Sequence, residues 1–293
     1  MSIIESYDAS KPHVTVSPSD RACYVCGCAR WKEIVSLDCS VAGNKAHHKL
    51  YRCLGCSLEF VSPFPSPDIS DVLYDTNYYS VNYLAYEKER KRQFTKLLDK
   101  MSAFGIEGPI LDVGCGAGLF TAVARDRGFD VCGVEPSQAG RATARQCFGI
   151  DAKASLSDLS QGSFRTAVLW QVLAHVPNPV ALLRNVCEVL QNDAYVIMSF
   201  CNWRDVRYRF ATLEARLRKV NTIHIPTILW RFREQHLTQL AAMAGLRVER
   251  FVYETPAVRR VSGWKRSFLD RAFAIHRVLT RQDQELHVWC RKG

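Results

Sequence analysis

The chain has 293 residues, 47% of them apolar, which is room for one large α/β domain and a small accessory module. Its first 22 residues are polar, with no apolar run of the signal-peptide kind, and no later segment reaches a membrane-spanning length, so a cytoplasmic protein is expected. The formal charge of +10 sits in the last third: residues 1–200 carry 20 basic and 21 acidic side chains, residues 201–293 carry 19 and 8, which suits a phosphorylated or nucleic-acid partner or an ordinary Arg-rich solvated face.

After a flexible N-terminus over 1–22, a module over 23–62 opens on "CYVCGC" and closes on "CLGC". Six of the twelve cysteines lie in the first 56 residues; the others sit singly in apolar segments, as small buried thiols do. Cys23, Cys26, Cys53 and Cys56 form two CxxC pairs 26 residues apart. In a reducing compartment this spacing argues for four thiolates around Zn²⁺, a closed tetrahedral shell with a structural role. The metal supplies folding energy that a segment this short, with few large apolar side chains, lacks. The competing readings are a disulfide framework, a redox pair, and exchange of a ligand for Cys28, Cys39, His47 or His48, with Cys28 nearest to doing so.

Residues 63–107 read as a Pro/Ser linker, a stretch holding Tyr74, Tyr78, Tyr79 and Tyr83, and a charged amphipathic helix. Then "GPILDVGCGAGLF" gives a strand over Ile110–Val113, a glycine turn and a helix from Leu119. Glycines let the backbone approach a ligand closely, and the helix start offers unpaired N–H groups. A second strand, "FDVCGVEPS", ends at Glu135, an acid placed for ribose hydroxyls. Gly114, Gly116 and Gly118 are spaced GxGxG, and Leu119 stands where a nicotinamide-dinucleotide site has its third glycine. Asp112, at the buried end of its strand, is costly to ionise alone, so the site expects a positive group rather than a pyrophosphate. S-adenosylmethionine carries an ammonium and a sulfonium beside its adenosine.

On Asp112, the three glycines and Glu135, the sequence resembles the class I S-adenosylmethionine-dependent methyltransferases. The resemblance implies an α/β fold over 108–293, a Rossmann-like doubly wound seven-stranded sheet, with the zinc ribbon as a small N-terminal module. It also implies a cofactor set of Asp112, Gly114, Cys115, Gly116, Gly118, Glu135, Pro136, Trp170 and Gln171. "FRTAVLWQVLAHVPNPVALLRNVCEVLQNDAYVIMSF" continues the pattern as strand, loop, helix from Pro179 and strand from Ala194. Relatives typically show an acid after the Phe and "LEHVPDP" in the loop; Arg165, Ala174 and Asn178 stand at those positions. His175 is retained at the carboxyl edge of the sheet, where substrates meet cofactor, and reads either as a general base or as a residue that shapes the loop. The insertion over 201–236 is the usual place for substrate contacts. His224 is the second candidate base, because "ILWRF" replaces the relatives' "HLYHF". Bacterial relatives with such a ribbon, sugar C-methyltransferases among them, close the active site with similar tyrosines. Tyr79 is accordingly the third candidate catalytic residue, against plain packing at the domain junction.

The rest completes the architecture: helix, Gly245 as a C-cap and strand in "EQHLTQLAAMAGLRVERFVYE", a surface helix in "SGWKRSFLDRAFAIHRVL", and a last strand in "ELHVWCRK". The resemblance implies methyl transfer from S-adenosylmethionine to a small-molecule or sugar-type acceptor, at oxygen or carbon, with much of the rate coming from alignment. An RNA acceptor is the alternative, since some rRNA guanine methyltransferases carry a like cysteine module and the last third is basic. A non-catalytic binding module, suggested by Arg165 and Ala174, is the second.

Overall fold

The computed structural model of the chain describes residues 22–41, 44–65, 74–75, 78–254 and 285–293. The expectations for residues 1–21, for most of the Pro/Ser linker and for the helix at 262–279 fall outside them.

The chain begins with a long antiparallel hairpin, β1 (Trp31–Val41) and β2 (Asn44–Cys53), to which β3 (Glu59–Ser62) adds antiparallel. Alternate residues Val35, Leu37 and Cys39 turn to one side, where Leu50 and Val61 meet them in a small core. Helix α1 (Glu87–Ala103) then buries Phe94, Leu97, Leu98 and Met101, which recur at helical spacing.

From there strands and helices alternate: β4 (Ile110–Val113), α2 (Leu119–Asp126), β5 (Val131–Val134), α3 (Gln138–Phe148), β6 (Phe164–Trp170), α4 (Pro179–Val189) and β7 (Leu190–Cys201). Next come α5 (Val206–Arg218), β8 (Trp230–Arg231), α6 (Glu234–Met243), β9 (Leu246–Glu254) and β10 (Glu285–Lys292). The main sheet has the order β5-β4-β6-β7-β10-β9, with β4 to β7 mutually parallel and β10 antiparallel to both its neighbours. Its central strands are buried on both faces, which is why they read as near-continuous apolar runs. Among the described residues this sheet has six strands, against the seven expected. The place beyond β5 is held by a single parallel bridge, Val134 to Lys153. The local sequence "DAKASLSD" is too polar and too small-chained to offer a face for burial.

The second sheet has the order β1-β2-β3-β8, and its fourth strand comes from inside the 201–236 insertion. Phe60 pairs with Trp230 and Glu59 with Arg231. The cysteine-bearing module is thus closed by a piece of the domain it precedes. Cys23, Cys53, Leu58 and Phe60 share one continuous core with Val113, Phe200, Trp230 and Phe232.

Candidate functional site

The glycine turn links the carboxyl end of β4 to α2. Gly114 and Cys115 donate their N–H groups to the Val134 carbonyl at 2.7 and 3.0 Å, folding the turn against β5. At Gly114 (φ 68°) a Cβ would lie 2.7 Å from Val172 Cγ2, so no side chain is tolerated there. Cys115 is buried beneath the turn, and burial beside Asp112 and Glu135 pushes its thiol far up. Asp112 is 2% exposed and accepts a hydrogen bond from Thr121 Oγ1 at 2.6 Å. Burial raises its pKa to about 7, the Thr121 bond opposing and the Glu135 charge adding to the shift. Glu135 ends β5 with both oxygens engaged: Gly116 N–H and Ser137 N–H each donate to it at 2.8 Å. Burial raises its pKa, and these backbone bonds hold it back. The carbonyls of Glu135 and Pro136 both accept from Arg141 Nη1 at 2.7 Å, fixing the start of α3.

Tyr79 lies across this cleft. A Cβ on Gly116 would be 3.1 Å from its ring, and one on Gly140 would be 3.0 Å from its hydroxyl oxygen and 2.8 Å from Glu135 Cγ. Its side chain is buried, and burial with the Glu135 charge pushes the phenol far up, so it stays protonated. The backbone at Tyr78–Tyr83 takes a short π-helical form. Tyr74 anchors the segment: its carbonyl accepts from Ser137 Oγ at 3.0 Å and its hydroxyl lies 2.9 Å from His175 Nδ1.

His175 sits in the loop after β6, in a short turn over Leu173–His175. Its Nδ1 donates to the Thr227 carbonyl at 2.8 Å, and burial lowers its pKa to about 4, so the ring is neutral near pH 7. The loop is clasped along its length. Leu229 N–H donates to the Ala174 carbonyl at 2.9 Å and Trp230 Nε1 to the Val176 carbonyl at 2.9 Å. Asn178 caps α4 through Ala181 N–H at 3.0 Å, and the Tyr24 hydroxyl donates to the same Asn178 oxygen at 2.6 Å while accepting from Val180 N–H at 3.1 Å. Tyr24 follows Cys23, so the cysteine module grips the loop directly. Pro65, Tyr74, His175, Pro177, Pro226, Thr227 and Leu229 line a small cavity of about 30 Å³ here. His224 is exposed, at φ 56°, with its carbonyl bound by Ile228 N–H and Thr227 Oγ1, and its charge is close enough to act on His175.

Trp170 packs edge-on against Phe94 and His287, with ring centroids 5.1 and 5.0 Å away, as a core aromatic does. Gln171 (φ 56°) turns out of the strand, donates its N–H to Ser199 Oγ at 3.0 Å, and donates Nε2 to Glu285 at 3.2 Å. Glu285, buried at the start of β10, also receives Gln93 Nε2. Sequence reading missed Thr121, Ser137, Tyr24 and Glu285. Ser137 carries the one visible signal, an N-cap Ser before α3 whose hydroxyl accepts from Gly140 N–H.

The two CxxC turns face each other. Cys23 Sγ lies 3.6 Å from Cys56 Sγ, Cys26 Sγ 3.6 Å from Cys53 Sγ, and all four within 4.8 Å. Tetrahedral thiolate ligation at about 2.3 Å places sulfurs about 3.8 Å apart, so the set is shaped for a metal. Cys28 stands outside it, its thiol directed to the Arg30 carbonyl. Around the knuckles, Gln235 Nε2 and His236 Nε2 both donate to the Cys56 carbonyl, at 2.6 and 2.9 Å.

A family model described as a methyltransferase domain matches residues 86–250, over half of the chain. The ubiquinone biosynthesis O-methyltransferase of Alkalilimnicola ehrlichii is 31% identical over 121 residues, covering 38% of this chain and 49% of that protein. The one from Idiomarina loihiensis is 30% identical over 105 residues, covering 32% and 42%. The chain therefore spans about half the length of the curated relatives it matches. Among solved structures, a SAM dependent methyltransferase from Archaeoglobus fulgidus aligns with a TM-score of 0.51 at 15% identity, over 73% of this chain and 100% of that one. A SAM-dependent methyltransferase from Thermotoga maritima, described as a possible histamine N-methyltransferase, gives 0.50 at 18%, over 74% and 98%. Likeness at such identities shows a shared fold.

Proposed function

The chain belongs to the methyltransferase domain family whose model matches residues 86–250, and from that premise we propose that it transfers a methyl group from S-adenosylmethionine to a small-molecule acceptor. One observation carries the reading: two buried carboxylates, Asp112 and Glu135, lie at the ends of neighbouring parallel strands on either side of a turn whose Gly114, Gly116 and Gly118 all sit at positive φ, where a Cβ would meet its nearest neighbour at 2.7–3.1 Å. Asp112 is the counter-charge for the cationic end of the cofactor, and Glu135 the acceptor for its ribose hydroxyls. The cofactor, when bound, supplies an electrophilic methyl carbon on a sulfonium.

The chain's own part is then alignment and exclusion of water. Tyr79 covers the cleft over Gly116 and Gly140, a role its geometry supports better than that of a base. His175, with Nδ1 taken and its pKa at about 4, holds the loop that borders the acceptor. His224, exposed and close to it, is the remaining candidate for taking a proton from an acceptor hydroxyl. The names of the curated relatives favour oxygen as the atom methylated. A small molecule is favoured over RNA because Arg204, Arg218, Arg231, Arg247 and Arg291, all in the basic last third, each lie against a carboxylate.

We also propose that Cys23, Cys26, Cys53 and Cys56 hold Zn²⁺ in a closed structural shell. No helix among the described residues is long and apolar enough to cross a membrane; a cytoplasmic setting is proposed because paired CxxC thiols favour a metal over disulfides in a reducing compartment.

The test is calorimetric binding of S-adenosylhomocysteine to the full chain and to Glu135→Ala. The variant is expected to bind about a hundredfold more weakly, the loss of a charge-assisted bidentate contact. No binding by the parent chain, or equal binding by the two, overturns the assignment.

A further inference from the structure

Helix α5 is apolar on two opposite faces, and its large side chains are on the outer one. Ala211 and Ala215 turn inward, onto the small core of Val35, Leu37 and Leu50. Phe210, Leu213 and Leu217 lie on the far side at 3.6 residues per turn, 58%, 49% and 72% exposed, and Val220, just beyond the helix end, is 41% exposed. Four of the seven large apolar side chains exposed among the described residues fall in this one stretch. A soluble surface scatters such residues singly; a contiguous stripe marks a contact.

The charges around the stripe say what kind. Arg209 and Arg216 lie exposed along one edge, and Arg218 and Lys219 are exposed at the end. Glu214 is the only acid of the helix and is paired with Arg218. A second copy docked antiparallel through this face about a two-fold axis would bring the Arg209 and Arg216 edges of the two helices together. An anionic lipid surface meets both features at once: apolar side chains enter the acyl boundary, and guanidinium groups reach the headgroup phosphates.

We propose that α5 is a peripheral membrane-contact helix for anionic lipid, with Phe210, Leu213 and Leu217 as the inserting face and Arg209 and Arg216 as the headgroup contacts. Because α5 follows β7, docking brings the carboxyl edge of the main sheet, which carries the glycine turn, toward the bilayer. The inference does not depend on methyl transfer, and its test uses no cofactor.

The test is co-sedimentation of the full chain with vesicles of phosphatidylglycerol and phosphatidylcholine, and with pure phosphatidylcholine, at about 0.1 M salt. At least about tenfold stronger partitioning onto the anionic vesicles is expected, weakening at about 0.5 M salt. The double variant Leu213→Ser, Leu217→Ser loses at least about tenfold in partitioning, with circular dichroism and melting temperature unchanged because both side chains are exposed. Arg209→Glu with Arg216→Glu removes the preference for anionic lipid. Equal partitioning of the parent and the leucine variant overturns the proposal. So does an absence of binding accompanied, in light scattering, by self-association that the leucine variant abolishes, which would make a second copy the occupant.

Discussion

Strand β4 is four residues long, buried at every position, and lies inside a six-stranded sheet, whereas β1 runs for eleven residues and closes with its partners on a core of a few side chains. The main sheet is self-sufficient: Leu111, Val168, Ile197 and Val288 pack it from both faces. The smaller sheet is assembled from borrowed parts. Its turns bring four cysteines within 4.8 Å of one another, its fourth strand is Trp230–Arg231, and its core is completed by Ala215, Ile223 and Ile225 from the insertion. In return its residues hold the loop of His175 through Tyr24, Thr227, Leu229 and Trp230. The smaller sheet and the insertion thus clamp the loop of His175, which the proposed function puts on the acceptor side, while the glycine turn proposed for the cofactor belongs to the main sheet.

The strongest way to break this contrast is to remove one of the four cysteines proposed to hold zinc. Cys53→Ser is expected to lower amide-exchange protection of β1, β2, β3 and β8 by about a thousandfold, since structural zinc contributes folding energy outright, while β4 to β6 keep theirs. Simultaneous loss in both sheets would show that they are one cooperative unit. Next in size, Trp230→Ala removes a buried aromatic and the bond to the Val176 carbonyl. A loss of about 3–5 kcal/mol in urea unfolding is expected.

Tyr24→Phe sharpens the contrast without a cavity. It deletes only the hydroxyl that joins Asn178 to the start of α4, at a cost of about 1 kcal/mol. Acceptor kcat/KM should fall several-fold while S-adenosylmethionine affinity stays level; an equal fall in both would mean the clamp reaches the cofactor side. A last effect is a slope with pH. Burial holds His175 at about 4, below the usual histidine range, so the unfolded chain binds the extra proton first as pH falls. Its neutral form contributes stability that is complete above about 6.5 and is lost as pH falls toward 4. His175→Asn should flatten that part of the urea midpoint profile between pH 7 and 5.

What was legible in the sequence was local. The strand at Ile110–Val113, the helix from Leu119, the helix from Pro179 and the convergence of Cys23, Cys26, Cys53 and Cys56 all follow from short-range signals: apolar runs, glycine spacing, an N-cap and paired CxxC turns. What escaped was made by distant partners. Two residues, Trp230 and Arg231, carry no periodic signal of a strand, and only pairing with Phe60 and Glu59 makes them one. The lowered pKa of His175 comes from burial, opposed by the Thr227 carbonyl 52 residues away in sequence, and its ring also meets the Tyr74 hydroxyl 101 residues away. Tyr79 reads from the sequence as a candidate catalytic residue by its likeness to tyrosines that close the site in relatives, but its burial against Gly116, Gly140 and Glu135 is a property of the fold. The seventh strand implied by the family resemblance is reduced, among the described residues, to the single bridge from Val134 to Lys153 in the polar "DAKASLSD".

The most direct test of the cofactor assignment is calorimetric titration of S-adenosylmethionine into the full chain and into Asp112→Asn at pH 6 and pH 8. With the Asp112 pKa raised to about 7 by burial, its carboxylate is mostly protonated at the lower pH and ionised at the higher. The parent chain should bind about tenfold more tightly at pH 8 than the variant's own change across the same range would predict. Absence of binding, or equal affinity and equal pH dependence in parent and variant, would contradict the account.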